Sequence, residues 1–218
     1  MQQKLVSLFT TPFGRKNLEA GTGALLLLFM VEHFVANLML LINNPEPYRW
    51  YTETMGRAIL VRGMEVGLFL LFAIHIGIGL MMRLYHRKLQ RKHKNMPRPK
   101  NLSTRFVGWT GMAILIFLAL HLWRFFYPNR ILGQTDFDLY DQARLAFSSV
   151  WYTGFYVICM IALASHLQHG IKSALFSFKF IPQQRVPMAR KIGAWVGVGT
   201  SIGLAYIAVH LYVISLLR

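Results

Sequence analysis

Five long apolar segments run through this chain, and their length limits what it can fold into. They cover residues 18–42, 58–84, 106–126, 151–176 and 192–217. Each is long enough to cross about 30 Å of hydrocarbon, which takes roughly 20 helical residues. Barrel strands are excluded, because each takes only about 10 residues and alternates apolar with polar side chains. The sequence therefore predicts an all-α integral membrane protein with five transmembrane helices in a single domain, residues 1–218.

The formal net charge of +16 is distributed in alternation along the chain. Basic residues concentrate in the N-terminus, in a loop over residues 85–105 and in residues 172–191, whereas the two other loops hold most of the acids. This is the positive-inside pattern of a multi-pass protein, not the signature of a nucleic-acid binder. It predicts a bacterial cytoplasmic (inner) membrane location, with the N-terminus in the cytoplasm and the C-terminus outside. The basic face would meet lipid headgroups, an acidic partner protein or both.

Four of the five segments carry a histidine about two-thirds of the way along, namely His33, His75, His121 and His169. Because successive helices run in opposite directions, His33 and His121 should lie toward the outer face, and the other two toward the cytoplasm. One buried imidazole is more often an interior hydrogen-bonding group than a ligand, but four at matched depths favour ligands in a bundle core. Two pairs about 10 Å apart along the membrane normal suit two haems. Ligation of each iron by two histidines favours electron transfer over oxygen chemistry.

The fourth ligand has two candidates, His166 and His169, which lie one helical turn apart. Gly170 favours His169, because a glycine beside a ligand lets a macrocycle approach the backbone. His166 would then hydrogen-bond a haem propionate or a neighbouring helix. The single cysteine, Cys159, excludes a disulfide within the chain, and the sequence has no C-x-x-C-H motif for covalent haem attachment. Any haem here must therefore depend on axial ligands.

Two acidic residues, Glu32 and Glu65, are expected to be buried within the spans and are candidates for quinone and proton chemistry. Glu32 adjoins His33 but points about 100° away around the helix. Glu65 lies at the expected level of the outer haem, either as a protonated acid bonded to another helix or as a proton donor to a quinone. Arg62, one turn earlier, could neutralise Glu65 or a haem propionate.

Basic residues at the span ends and small residues near the histidines are candidate haem contacts. Arg83, Arg124 and Lys172 are possible propionate partners, although snorkelling to the interface is the commoner role of such residues. Gly23 is one of several glycines beside the proposed ligands, a pattern that close helix packing also produces.

Four motifs, in order along nearly the whole chain, resemble a known family. They read G-A-L…H-F-V-A-N-L in the first span, E…H-I in the second, W-T-G…H-L in the third and H-L-Q-H-G-I-K-S in the fourth. The chain resembles the diheme cytochrome b membrane anchor of succinate dehydrogenase and fumarate reductase, in its form with one five-helix polypeptide.

The resemblance implies a distal haem b on His33 and His121 and a proximal haem b on His75 and His169. It also implies a flavoprotein subunit with covalent FAD, an iron–sulfur subunit docked on the basic cytoplasmic face, and menaquinone as the quinone. As a subunit of succinate:quinone oxidoreductase, the chain would pass electrons between the iron–sulfur subunit and the quinone, with no dicarboxylate site of its own. Leu167 stands where some fumarate-reducing members carry glutamate, which favours succinate oxidation.

Two other functions stay open on the sequence. One is a diheme b cytochrome of another respiratory oxidoreductase, such as the membrane subunit of a nitrate reductase or hydrogenase. The other is a proton-coupled transporter or channel that uses buried histidines and glutamates as its proton path.

Overall fold

The computed structural model describes residues 9–92, 102–133, 137–177 and 182–217. Within these ranges every regular element is a helix. In chain order the helices are α1 (Pro12–Asn37), α2 (Glu46–Arg57), α3 (Ile59–Lys92), α4 (Leu102–His121), α5 (Leu139–Phe147), α6 (Val150–Ser177) and α7 (Val186–Leu216). A 3-10 turn, Leu38–Leu41, extends α1, and a π-helical segment, Leu122–Ile131, extends α4. A further 3-10 turn, Gln183–Arg185, precedes α7.

Five of these helices, α1, α3, α4, α6 and α7, are long and apolar enough to cross a membrane. The predicted all-α architecture with five spans is therefore confirmed, and the chain has the character of a multi-pass membrane protein. The first span begins earlier than predicted, because Thr11 caps α1 by accepting a hydrogen bond from the Gly14 N–H at 3.0 Å. Pro12 occupies the first turn. Backbone N–H groups there have no partner within the helix, so the missing N–H of proline costs no hydrogen bond.

The helices on both sides of the predicted basic loop extend into it. Residues 85–92 continue α3 and residues 102–105 begin α4, while residues 93–101 lie outside the described part of the chain. The extension of α3 follows from its composition, because residues 83–92 contain no glycine or proline and are mostly good helix formers. α4 likewise continues beyond residue 126, where a wide π-helical segment accommodates Pro128.

Two short helices, α2 and α5, replace loops that the sequence left without structure, and they meet at one end of the bundle. Arg49 of α2 forms ion pairs with Asp138 and, at 3.0 Å, with Asp141. Asp138 also caps α5 by accepting the Tyr140 N–H at 2.8 Å. The Tyr140 hydroxyl donates to the Ile42 carbonyl at 3.3 Å. These contacts bring the two acidic loops together, as alternating helix directions require.

The apolar core is centred on the contact between α6 and α7, at one side of the four histidine-bearing helices. α7 packs on α6, α1 and α5, and its buried face meets buried residues of α6. By contrast, α3 buries only Ile78 and α4 buries no side chain from Phe106 to Ile131. The α7 and α6 residues in the core are Leu204, Ile207, Ala208, Leu211, Tyr156, Cys159, Met160 and Leu163.

The four histidine-bearing helices pack as an open four-sided bundle. α3 packs on α1, α1 on α6, and α6 on α4, whereas α3 and α4 hardly approach each other in the described ranges. α1 and α4 therefore lie on one diagonal of the bundle, and α3 and α6 on the other. This arrangement leaves the interior to be spanned by side chains that reach across the diagonals.

Candidate functional site

The two imidazole pairs are named outer and inner after the topology predicted from the charge pattern, and the outer pair links α1 to α4 across one diagonal. The ring centroids of His33 and His121 lie 5.9 Å apart, with their planes at 84°. The hydroxyl of the buried Tyr156 on α6 lies 3.4 Å from the Nδ1 of His121. The rings of Phe117 and Phe125 flank His121 on its own helix. The structure thus brings together the two residues that the sequence assigned to the outer site.

An inner pair of imidazoles links α3 to α6 across the other diagonal. The ring centroids of His75 and His166 lie 6.3 Å apart, with their planes at 78°. Glycines on the neighbouring helices lie against both rings. A Cβ at Gly23 would lie 3.3 Å from Cε1 of His75, and a Cβ at Gly111 would lie 3.5 Å from Cε1 of His166. The absence of a side chain at these two positions lets α1 and α4 approach the imidazoles closely.

The ring that faces His75 is that of His166, whereas the sequence favoured His169. His169 is half-buried and lies one turn farther along α6. The register between α6 and α4 decides this orientation, since it places Gly111 directly against His166. The Nδ1 of His166 is buried and has no hydrogen-bond partner. The geometry of the inner pair therefore favours His166, which the sequence had ranked second.

The separation of the two pairs can be counted along two helices independently. On α1, Gly23 lies against His75 and ten residues before the outer-pair histidine. On α4, Gly111 lies against His166 and again ten residues before the outer-pair histidine. Ten residues of helix correspond to about 15 Å. The sequence value of about 10 Å was too small, because it assumed that the predicted helix ends at residues 42 and 58 lie at equal depth.

The two pairs fit a planar macrocycle that carries its own metal ion. Two imidazoles that bind one ion from opposite sides, at metal–nitrogen distances of about 2 Å, place their ring centroids about 6 Å apart. The observed values are 5.9 and 6.3 Å. The described residues form no cluster of three or more His, Cys, Asp or Glu side chains suited to a bare metal ion. Two axial nitrogens at each site are what a haem iron takes from a protein.

Glu65 lies within ion-pair distance of two arginines, one of which the sequence did not offer as a partner. Its carboxylate lies 2.6 Å from Arg130, on the π-helical end of α4, and 3.7 Å from Arg62. Arg130 also donates to the Gly56 carbonyl at 3.1 Å. Sequence reasoning missed Arg130, because it follows Pro128 in a segment predicted to be a loop. Arg62 is the weaker partner, with its side chain half exposed.

The prediction that Glu32 is buried is wrong. Glu32 is exposed and accepts a hydrogen bond from the Tyr51 hydroxyl at 2.6 Å. Tyr51 belongs to α2, the short outer helix that the sequence did not predict. Burial, followed by the bond to Glu32, raises the pKa of Tyr51 to about 12. This contact fastens α2 to the outer half of α1.

The predicted propionate partners lie at three different places. Arg83 lies over the ring of Trp109 at 5.3 Å and against Gly108, so it links the inner end of α3 to α4. Arg124 is half-buried in the π-helical segment that extends α4. Lys172 is half-buried on α6, one turn beyond His169. Of the three, Arg83 has a defined contact that already occupies its guanidinium.

Glu19 is a half-buried acid that sequence reasoning passed over. Its carboxyl oxygen lies 3.5 Å from the position that a Cβ on Gly79 would occupy, one turn inward from His75. The chain has eight acidic residues, and in the predicted topology the other seven lie nearer the outer end. This separation of Glu19 from the other acids follows from the sequence and could have identified Glu19 as a candidate.

The site consists of two imidazole pairs, on separate diagonals and at separate depths of the bundle. Comparison of the chain with protein-family models, with curated proteins and with solved structures gave no match.

Proposed function

We propose that this chain is the diheme cytochrome b membrane anchor of a succinate dehydrogenase or fumarate reductase. The observation that carries the proposal is the pair of imidazole bridges across the two diagonals of the bundle, with ring centroids 5.9 and 6.3 Å apart. The four family-like motifs of the sequence supply the histidines of both bridges. Packing alone does not explain the inner pair, because neither His75 nor His166 belongs to the apolar core that α6 and α7 share.

The chain's own residues would bind and orient two b haems. His33 and His121 would hold the outer haem, and His75 with His166 the inner one, with His169 as the alternative that the family motif favours. Once bound, each haem would supply one-electron redox chemistry. With two histidines holding each haem, the protein would leave no open position for oxygen. Gly23 and Gly111 would let the helices close on the rings without a clash.

The inner end of the bundle suits an acidic partner surface. Exposed cations extend from the end of α3 to the start of α7, namely Arg87, Lys88, Arg91, Lys92, Arg185, Arg190 and Lys191. In the proposed topology this end faces the cytoplasm of a bacterium. An iron–sulfur subunit would dock there and carry the flavoprotein subunit with covalent FAD. Opposite charges would speed and orient this docking.

The outer end is the proposed place for menaquinone. Glu65 lies ten residues before His75 on α3, the same interval that separates the two pairs on α1 and α4. It is therefore level with the outer pair and close to the path of a quinone in the outer leaflet. Its ion pair with Arg130 gives it a fixed position beside the end of α4. Any proton transfer by Glu65 would first require that pair to open.

Purification of the membrane complex through a tag on this chain tests the proposal. We expect a covalently flavinylated subunit and an iron–sulfur subunit to copurify, and we expect succinate oxidation coupled to a menaquinone analogue. A haem-containing complex that lacks the flavoprotein would contradict the succinate dehydrogenase assignment and indicate another respiratory oxidoreductase. A preparation without a b-type α band in the reduced-minus-oxidised spectrum would contradict both and favour a proton-coupled transporter.

A further inference from the structure

We propose that Thr22 is a positioning residue for the inner haem site, which fixes the tautomer and orientation of His75 and strengthens it as an iron ligand. This inference rests on the proposed function. Thr22 lies on α1, whereas His75 lies on α3 and faces α6, so the contact joins a third helix to the pair. No sequence motif pointed to Thr22.

The contact is short and shielded. The Thr22 hydroxyl oxygen lies 3.1 Å from the Nδ1 of His75, and Thr22 is 5 % exposed. Gly23, the next residue, lies against the Cε1 edge of the same ring. Because the ring is held on its Nδ1 side by the hydroxyl and at Cε1 by the backbone, its rotation is restricted from two directions.

The direction of the hydrogen bond follows from the other partners of the hydroxyl. A threonine hydroxyl has one hydrogen and two lone pairs. The oxygen of Thr22 lies 2.8 Å from the Leu18 carbonyl and 3.1 Å from the Glu19 carbonyl, and neither carbonyl can donate. The hydrogen of Thr22 is therefore directed to the backbone, and its oxygen accepts from Nδ1–H of His75.

This direction determines which nitrogen of His75 can bind a metal. With the proton on Nδ1, the lone pair of the neutral ring is on Nε2. An acceptor on the far nitrogen of a ligating histidine also makes the ligand more basic. A more basic axial ligand stabilises the oxidised iron, so the hydroxyl of Thr22 lowers the midpoint potential of the inner site.

Among the described residues, the outer pair has no equivalent of this arrangement. The hydroxyl nearest to His121 is that of Tyr156, at 3.4 Å from Nδ1, near the upper limit for a hydrogen bond. The two sites therefore differ in how firmly the protein holds one axial ligand. Removal of the Thr22 hydroxyl should change the inner site and leave the outer site unchanged.

Thr22→Val tests the inference on the purified complex, because valine matches threonine in shape and removes the hydroxyl. We expect the midpoint potential of one haem to rise and its affinity to fall by roughly tenfold, with the other haem unaltered. Thr22→Ser should restore both values, since serine keeps the hydroxyl. Thr200→Val is the matched control, because Thr200 is equally buried on α7, which carries neither pair.

The outcomes separate this inference from the proposed function. A wild-type protein without haem would overturn both. Two haems in the wild type, with unchanged potentials and haem content in Thr22→Val, would overturn the role of Thr22 alone. An equal change in Thr200→Val would also overturn it, by showing a general packing effect. If Thr22→Val does not accumulate in membranes, Thr22→Ala is measured against Thr22→Ser by the same criteria.

Discussion

Removal of Arg130 should loosen the outer half of α3, because α3 has few other attachments to the bundle. α3 packs closely on α1, whereas it meets α4 through a few side-chain contacts, such as that of Phe69 with Phe126, and it buries only Ile78. The Glu65–Arg130 pair joins it to the end of α4 at 2.6 Å, with side chains 23 % and 16 % exposed. Loss of one partner of a buried ion pair costs about 3–5 kcal/mol. Because both groups keep some contact with water, we expect about 3 kcal/mol for Arg130→Gln, the lower end of that range.

Arg62→Gln is the matched control, since Arg62 is the other cation beside Glu65. It lies 3.7 Å away with its side chain 50 % exposed, so its removal should cost at most about 1 kcal/mol. Unfolding in mixed micelles, followed by circular dichroism, measures both variants, together with Glu65→Gln and the Glu65–Arg130 double variant. We expect a coupling energy of about 2 kcal/mol between Glu65 and Arg130, within the range for residues in contact. Equal losses for Arg62→Gln and Arg130→Gln, or a coupling near zero, would refute the reasoning.

Three further results are expected. The His166→Ala variant should lose the inner haem, whereas the His169→Ala variant should keep both haems, as measured by haem content per chain. The reverse result would identify His169 as the ligand. Gly111→Val should lower inner-haem occupancy, because a Cβ there already lies in van der Waals contact with the His166 ring, at 3.5 Å, and the two methyl groups of valine extend beyond it. Gly77→Val, where no atom lies within 4 Å of the added Cβ, should leave the spectrum unchanged. The phenol of Tyr51 should titrate near pH 12 by ultraviolet absorbance. Because its pKa is raised above the unfolded value of about 10, its contribution to stability is complete below pH 10 and is lost as the pH rises toward 12. Titration at pH 10 would contradict the contact with Glu32.

The membrane architecture could be predicted because hydropathy and length decide it almost alone. Apolar segments of more than about 20 residues have few alternatives to a spanning helix. The short helices α2 and α5 were not predicted, because their helical state depends on tertiary contacts such as the Arg49–Asp138 pair. Their sequences carry no strong local signal, and packing commonly overrides intrinsic propensity.

The outer histidine pair followed from depth, whereas the inner pair did not. His166 and His169 differ by one turn and by about 60° around the helix axis. Which of them faces His75 depends on the rotation of α6, and the contact with Gly111 on α4 sets that rotation. One sequence alone does not determine the rotation of α6. For the same reason Arg130 and Thr22 could be identified only after the helices were placed beside one another.

The central claim is that this chain holds two haems between two histidine pairs. Haem quantification on the purified wild-type membrane complex, by the pyridine haemochrome spectrum and protein mass, tests it most directly. The account predicts two b-type haems for each 25.1 kDa chain. A preparation with intact subunits that contains no haem, or one haem per chain, would contradict it.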